Sequence, residues 1–194
     1  MVRVDLHLHT VFSGDSTISP RLLVEELQAH PIVKGVAITD HNNLKGYFQA
    51  RKFASVYEDL VILPGIEVST EKGDMIVLGV EEEPRYPLTL SSVVDFAKDR
   101  NGVIVVPHPY RSLGIGDLAM NIEADAIEVL NPTATLRENE MAQELAKTRN
   151  LPEVAGTDAH NARELWTVFT EVEAELSVDS ILNAIRKGFV KVGR

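Results

Sequence analysis

The chain alternates short apolar segments with segments of helical periodicity along its whole length. The apolar segments are rich in Val and Ile, which is typical of strands buried on both faces. Strands that alternate with helices predict an α/β fold, in which a mainly parallel sheet is covered by helices. The predicted strands are Val2–His7, Gly35–Thr39, Val61–Val68, Met75–Val80, Val103–Pro107, Ala126–Leu130, Val154–Gly156 and Thr167–Val172.

Four of the intervening segments carry capping residues and apolar residues at helical spacing. The predicted helices begin at Ser19-Pro20, at Thr89, near Leu136 and at Ser177. The segment Thr70–Asp74 lies between two strand-like runs and predicts a hairpin, the one break in the alternation. About six or seven strand-then-helix units without a linker predict one domain over residues 1–194.

The composition excludes several kinds of chemistry. The chain has 194 residues and no Cys, so disulfides, thiolate catalysis and Cys-type zinc sites are excluded, and a metal site must use His, Asp and Glu. The formal charge of −10 argues against tight binding to long nucleic acid. We expect a cytoplasmic protein without a membrane segment, because the sequence shows neither a long apolar run nor a signal-peptide layout. The oligomeric state is left open.

Histidines gather where predicted strands end. Five of the six histidines lie at or just past the carboxyl end of a strand, where the active sites of α/β proteins form. Acidic residues occupy the same places. These histidines are His7, His9, His41, His108 and His160, and the acids are Asp5, Asp15, Asp40, Glu67 and Asp158. Their joint occurrence predicts a site for divalent cations.

Each of these motifs also has a purely structural interpretation. In a regular first strand, His7 and His9 share one face and could reach one cation at about 2.0–2.1 Å, while Leu6 and Leu8 share the other. The same face could instead be a solvated edge. Likewise, Asp40 could be a metal ligand, could hold a neighbouring histidine in one tautomer, or could be a turn or cap residue. His30, before Pro31 at a helix end, is interpreted as structural.

Together the motifs resemble those of the polymerase and histidinol phosphatase (PHP) superfamily, in the same order. The segments that carry the resemblance are Asp5–Thr10 with Asp15, Thr39–His41, Gly65–Glu67, His108-Pro109, Glu128–Asn131 and Thr157–His160. The resemblance implies a distorted, TIM-like (β/α)7 barrel with two or three divalent ions at the mouth formed by the carboxyl ends of the strands.

The resemblance also implies a distribution of ligands. One ion would be held by His7, His9, Glu67 and Asp158, a second by Asp15, His41 and His160, and a third by Glu67, which bridges, with His108. Many relatives carry a further histidine after the strand that follows this glutamate, whereas residues 73–81 contain none, so the third ion is left open. Asp40 and Asn131 would support the ligands without binding metal.

The expected activity is metal-dependent hydrolysis of a small phosphomonoester by hydroxide formed from metal-bound water, with Mn, Zn or Fe as the metal. Arg111 and, more weakly, Arg163 are the candidate phosphate-binding residues. His160, His41 or metal-bound water could protonate the leaving group. Two alternatives stay open: a metal-dependent exonuclease or oligonucleotide phosphoesterase, and a non-catalytic metal-binding module.

Overall fold

A mixed nine-stranded sheet forms the frame of the computed structural model, which describes residues 1–194. The strands are β1 Val2–Asp5, β2 Gly35–Ile38, β3 Val61–Thr70, β4 Gly73–Leu78, β5 Val103–Val106, β6 Ala126–Leu130, β7 Glu153–Ala155, β8 Phe169–Val172 and β9 Val190–Gly193. The α-helices are α1 Pro20–Ala29, α2 Lys45–Ala54, α3 Leu90–Asp99, α4 Leu136–Arg149 and α5 Val178–Lys187. A short 3₁₀ helix covers Gly116–Met120.

The sheet curls into a nearly closed barrel. Its strand order is β7-β6-β5-β4-β3-β2-β1-β8-β9. β7, at one end of this order, meets β8, the second strand from the other end, through Thr170. The Thr170 hydroxyl accepts a hydrogen bond from the Ala155 amide of β7 at 2.9 Å and donates one to the Ala155 carbonyl at 3.0 Å. The α/β barrel expected from the sequence is confirmed.

The regular sevenfold repeat is not confirmed. The predicted hairpin joins β3 to an antiparallel β4, so no helix follows β3. No α-helix separates β5 from β6 or β7 from β8, and the structure has five α-helices. The pairs β1–β2, β2–β3, β5–β6 and β6–β7 are parallel, so their carboxyl ends lie at one mouth of the barrel.

Helix α5 packs on the interior of the barrel. Its residues Ile181, Leu182, Ala184 and Ile185 are buried in one cluster with apolar side chains from β1 to β8. Two other clusters form the outer layers: α3 and α4 pack on one part of the sheet, and α1 and α2 on another. No helix is long and apolar enough to cross a membrane.

Capping explains the ends of the predicted helices. Ser19, Thr89, Thr135 and Ser177 each accept a hydrogen bond from a backbone amide in the first turn of α1, α3, α4 and α5, respectively. Gly188 ends α5 with a left-handed φ of 73°.

Candidate metal centre

Eight side chains that the sequence predicts as metal ligands lie together at the mouth of the barrel. They form overlapping groups in which three or four ligand atoms lie within 4.8 Å of one another. The groups are His9, Asp15, His41 and His160; His7, His108 and Asp158; His7, His9 and Glu67; and Glu67, Asp74 and His108. The only member not among the predicted ligands is Asp74.

The most buried part of the centre is formed by His7, His9 and Glu67. The Nε2 atoms of the two histidines are 3.2 Å apart, and Glu67 Oε2 lies 3.4 Å from that of His7 and 3.1 Å from that of His9. Asp158 Oδ1 lies 3.4 Å and 3.3 Å from the same two nitrogens. Two ligand atoms that are each about 2.0–2.1 Å from one ion at a tetrahedral angle are about 3.4 Å apart, so these separations suit a shared cation.

A break in β1 directs both imidazoles into the mouth. Asp5 Oδ1 accepts a hydrogen bond from the His7 amide at 3.2 Å, and β1 ends at Asp5. Leu6 then packs in the barrel interior with Val4, whereas Leu8 packs in the outer layer. The expectation that Leu6 and Leu8 share one face of a regular strand is therefore wrong, because the strand ends at Asp5 and the two side chains pack in different clusters.

Two imidazoles are held in the tautomer that a metal requires. His7 Nδ1 lies 3.0 Å from Glu128 Oε1, and His160 Nδ1 lies 2.8 Å from the carbonyl oxygen of Asp158. A carboxylate or carbonyl accepts a proton from Nδ1, so the lone pair of each of these neutral rings lies on Nε2. For His160 this favours a ligand, and its role as a proton donor stays a prediction. His9 Nδ1 lies 2.7 Å from Ser13 Oγ, a hydroxyl that holds the ring in place and can either donate or accept.

A second group lies closer to solvent. Asp15 Oδ2 is 3.5 Å from His41 Nε2 and 3.4 Å from His160 Nε2, and the Asp15 side chain is 52% exposed. The other edge of the His41 ring points to the buried part of the centre, because His41 Nδ1 lies 3.3 Å from Glu67 Oε2. Glu67 thus stands between the two groups, in the place of a bridging ligand.

A third group contains Asp74, a residue that the sequence reasoning did not single out. Glu67 Oε1 lies 3.2 Å from His108 Nε2, and Asp74 completes the cluster from the start of β4. Asp74 is buried, and burial raises the pKa of its carboxyl group, with a further contribution from the nearby charge of Glu67. The signal in the sequence is an acid at the start of an apolar strand, within the segment where relatives carry a histidine.

Glu128 was also missed as a site residue, although its segment belongs to the motifs. One of its oxygens contacts His7, and the other accepts hydrogen bonds from the His108 amide at 2.8 Å and from Asn131 Nδ2 at 3.0 Å. Asn131 Nδ2 also lies 3.3 Å from Asp158 Oδ2. Glu128 and Asn131 therefore orient ligands from behind.

The two predicted phosphate-binding arginines are placed differently. Arg111 Nη1 donates to Asp158 Oδ2 and to Thr133 Oγ1, at the edge of the centre. Asp158 consequently presents Oδ1 to the imidazoles and Oδ2 to Arg111, Asn131 and Thr133. Arg163 is exposed, and its guanidinium makes no hydrogen bond or ion pair with the centre.

Electrostatics in the centre favour a bound cation. Burial lowers the pKa of His7 and His9, but neighbouring carboxylates outweigh it: Asp158, Glu128 and Glu67 raise the pKa of His7 well above its ordinary value, and Asp158 and Glu67 raise that of His9 to about 9. Burial likewise raises the pKa of Glu67 and Asp158, and the imidazoles outweigh it and hold both well below their usual range. Protons on the imidazoles thus provide the positive charge that a metal would supply.

Three of the five buried side-chain atoms without a hydrogen-bond partner, and two of the six non-glycine residues with a positive φ, belong to the centre. His41 Nδ1, Glu67 Oε1 and His108 Nδ1 are buried without a hydrogen-bond partner. His108 and Asp158 have φ values of 24° and 52°, in the left-handed region that non-glycine residues rarely adopt. Oxygen and nitrogen donors without sulfur suit Mn, Fe or Zn. The donor set, its spacing and its orphaned acceptors therefore fit divalent ions.

Comparison with known families matches two models. The model described as "PHP domain" matches residues 5–107, and the model described as "PHP-associated" matches residues 137–190. An uncharacterized protein of Methanocaldococcus jannaschii, MJ1587, is 30% identical over 142 residues, which cover 67% of this chain and 82% of that protein.

Solved structures share the fold at low sequence identity. A two-domain protein of Bacteroides vulgatus that contains a predicted PHP-like metal-dependent phosphoesterase has a TM-score of 0.83 and 18% identity over 99% of this chain. This chain covers 64% of that protein, slightly less than two thirds of its length. An amidohydrolase of Chromobacterium violaceum, solved with bound sulfate and no metal, has a TM-score of 0.68 and 16% identity over 83% of this chain and 88% of that one.

Proposed function

The chain belongs to the PHP domain family, and on that premise we propose that it is a metal-dependent phosphoesterase that hydrolyses a small phosphomonoester. The observation that carries the proposal is the approach of His7 Nε2, His9 Nε2 and Glu67 Oε2 to within 3.1–3.4 Å of one another in a buried setting. Such a cluster of ligand atoms is costly to bury without a cation.

The described residues offer places for two or three divalent ions. His7, His9, Glu67 and Asp158 would hold the first, and Asp15, His41 and His160 the second. Glu67, Asp74 and His108 would hold a third, so that Asp74 takes the part of the histidine found in relatives. Bound divalent ions would polarise the phosphoryl oxygens and lower the pKa of water toward neutrality, which is the chemistry that phosphoester hydrolysis needs.

The chain's own residues orient the substrate. Arg111 lies at the edge of the centre with a side chain 26% exposed, so its guanidinium can contact both Asp158 and an incoming phosphoryl group. Thr133 beside it offers a hydroxyl at the same edge. The acidic chain can accept an anionic substrate there because the bound ions would reverse the local charge.

A metal analysis combined with a substrate panel tests the function. Protein purified without added metal is analysed for its elements, loaded with Mn²⁺, Zn²⁺ or Fe²⁺, and assayed on p-nitrophenyl phosphate, nucleoside monophosphates, 3′,5′-bisphosphates and short single strands. We expect phosphate release from monoesters that is lost on chelation. Turnover of oligonucleotides alone would favour an exonuclease, and metal without turnover a non-catalytic module. A chain that binds no metal contradicts the proposal.

The third ion has its own test. Asp74→Asn removes one carboxylate charge from the group around Glu67 and keeps the size of the side chain. We expect the variant to bind one Mn²⁺ fewer than the unmodified chain, as measured by elemental analysis after dialysis, with the first two ions retained. Equal stoichiometry in the two proteins would remove Asp74 from the ligand set.

A further inference from the structure

Two aspartates at the mouth each hold a threonine of a neighbouring segment in the same way. Asp5 Oδ1 accepts the Thr157 amide at 2.9 Å, and Asp5 Oδ2 accepts the Thr157 hydroxyl at 2.5 Å. Asp40 Oδ1 accepts the Thr10 amide at 2.6 Å, and Asp40 Oδ2 accepts the Thr10 hydroxyl at 2.7 Å. We call these pairs the first and the second Asp–Thr clasp. All four residues are at most 1% exposed.

Each clasp joins two segments that carry candidate ligands. The first clasp fastens the segment of His7 and His9 to the segment of Asp158 and His160. The second clasp fastens the segment of His7 and His9 to the segment of His41, since Thr10 follows His9 and Asp40 precedes His41. Three ligand-bearing segments are thereby linked in a row around the mouth.

These segments need such links because they lie beyond the ends of their strands. Glu67, in contrast, lies inside β3 and is paired with Ile76 of β4, so the sheet itself fixes its position. The other segments lie outside regular strand pairing and are held by isolated bridges, Leu8 to Ala159 and His41 to Glu67, and by scattered hydrogen bonds such as that from the Asp158 amide to the His7 carbonyl at 2.7 Å. A carboxylate that takes both the amide and the hydroxyl of one residue fixes the position and the rotation of that residue together.

We propose that the two clasps are positioning devices that hold the ligand segments in register, so that the metal centre is formed before the metal arrives. The clasps act through the backbone and have no role as ligands. This inference rests on the proposed metal-dependent function. Support for the second clasp comes from Gly46 of α2, since a Cβ there would lie 2.0 Å from Asp40 Oδ2 and 2.4 Å from Thr10 Oγ1. The helix thus packs directly on the clasp.

The test removes one hydroxyl from each clasp. Thr157→Val and Thr10→Val keep the shape of the side chain and the amide donor but leave one carboxylate oxygen without its partner. We expect each variant to bind Mn²⁺ about 10- to 100-fold more weakly, as loss of an indirect metal contact does in other sites. Thr157→Ser and Thr10→Ser, which keep both donors, should restore the affinity. The readouts are Mn²⁺ titration and the thermal midpoint of the metal-free chain.

Thr170→Val is the matched control. Thr170 is also fully buried, and its hydroxyl also bonds a neighbouring strand, at Ala155, but it is in contact with none of the candidate ligands. We expect it to lower the thermal midpoint while leaving Mn²⁺ affinity unchanged. Unchanged affinity in folded Thr157→Val and Thr10→Val overturns the proposal, as does a loss of affinity in all three variants that follows their loss of stability. Failure of the unmodified chain to bind Mn²⁺ would instead refute the metal-dependent function itself.

Discussion

The tautomer and the orientation of an imidazole ligand depend on the group that contacts its second ring nitrogen. His7 illustrates this, because Glu128 lies at its Nδ1 and the candidate metal position lies at its Nε2. A carboxylate in this place fixes the ring orientation and increases the basicity of the ligand nitrogen. Glu128 is fully committed to such contacts, with His7 at one oxygen and two N–H donors at the other.

Glu128→Gln should therefore weaken metal binding without removing a ligand. The amide of glutamine can accept from His7 only if its NH₂ group faces the donors of His108 and Asn131, so two contacts are lost in that orientation and the His7 contact is lost in the other. We expect Mn²⁺ affinity to fall about 10- to 100-fold, as measured by titration against a competing chelator. Glu140→Gln on the exposed face of α4 is the control, and equal affinities of the two variants would exclude the orienting role.

His7→Ala and Asp158→Ala remove candidate ligands themselves. We expect phosphatase activity to fall more than about 100-fold in each, beyond the loss that indirect contacts cause, while circular dichroism shows a largely retained fold. The assay is phosphate release by the metal-loaded variants. Full turnover by either variant, or turnover that survives chelation, would refute the assigned roles.

The ligands at the mouth were predictable where their residue type and their position at the end of a strand both indicate a metal site. The clustering of His41 and His160 follows from their places after strands, and that of Glu67 from its place near the carboxyl end of β3. Asp74 and Glu128 are different, because an acid inside an apolar strand can face either side of the sheet. Their roles depend on partners far away in sequence, and only the assembled barrel shows them.

Helix α5 contacts residues of many strands at once, which no single strand of the barrel does. Its apolar face enters the interior cluster together with residues of eight strands, so it stabilises the barrel away from the ligands. A defect there should affect stability without changing the chemistry at the mouth.

Ile185→Ala tests this separation. The Ile185 side chain is fully buried, and its truncation leaves a cavity, so we expect a loss of about 2–5 kcal/mol in the free energy of unfolding. Urea unfolding measures the loss, and Mn²⁺ titration of the folded variant should match the unmodified chain. Asn183→Ala, on the exposed face of the same helix, should change stability little. A weakened metal affinity in folded Ile185→Ala would show that α5 also shapes the mouth.

A helix could be located from the sequence where a capping residue marks its start. The helices with side-chain caps, α1, α3, α4 and α5, were predictable near their true starts. Helix α2 has Leu44 at its N-cap position and no side-chain cap, so no capping residue in the sequence marked its beginning. Strand β9 has four residues and is only partly buried, and it forms because β8 offers an open edge.

The shifted pKa values of four groups at the mouth make the stability of the metal-free chain depend on pH. The raised pKa of His9, about 9 against an ordinary value of 6.5, means that the folded state binds this proton more tightly than the unfolded state. The stabilisation is complete below pH 6.5 and is lost as the pH rises through 9. Burial raises the pKa of Asp5 to about 7, which also favours the folded state at lower pH. Glu67 and Asp158, with lowered pKa values, act oppositely and lose their stabilisation in acid.

We therefore expect the thermal midpoint of the metal-free chain to fall between pH 6.5 and pH 9, and to fall again below about pH 4. Calorimetry in the presence of a chelator measures both limbs. The alkaline fall should be smaller in His9→Gln, which removes one of the titrating rings. A midpoint that stays constant or rises from pH 6.5 to pH 9 would contradict the assignment.

The α/β class was predictable from alternation, because strand and helix periods differ, whereas the barrel and its mouth were expected only from the resemblance to a known family. The hairpin between β3 and β4 was predictable too, but the number of units was not, since the connections from β5 to β6 and from β7 to β8 lack an α-helix without any change in the apolar pattern of the strands.

The packing of α5 on the barrel interior bears on the route by which molecules reach and leave the centre. Leu182, Ile185 and their neighbours fill the interior behind the ligands. Under the proposed function, a substrate would therefore enter, and both products would leave, through the mouth of the barrel. Released phosphate would then compete with the next substrate molecule for the same ligands.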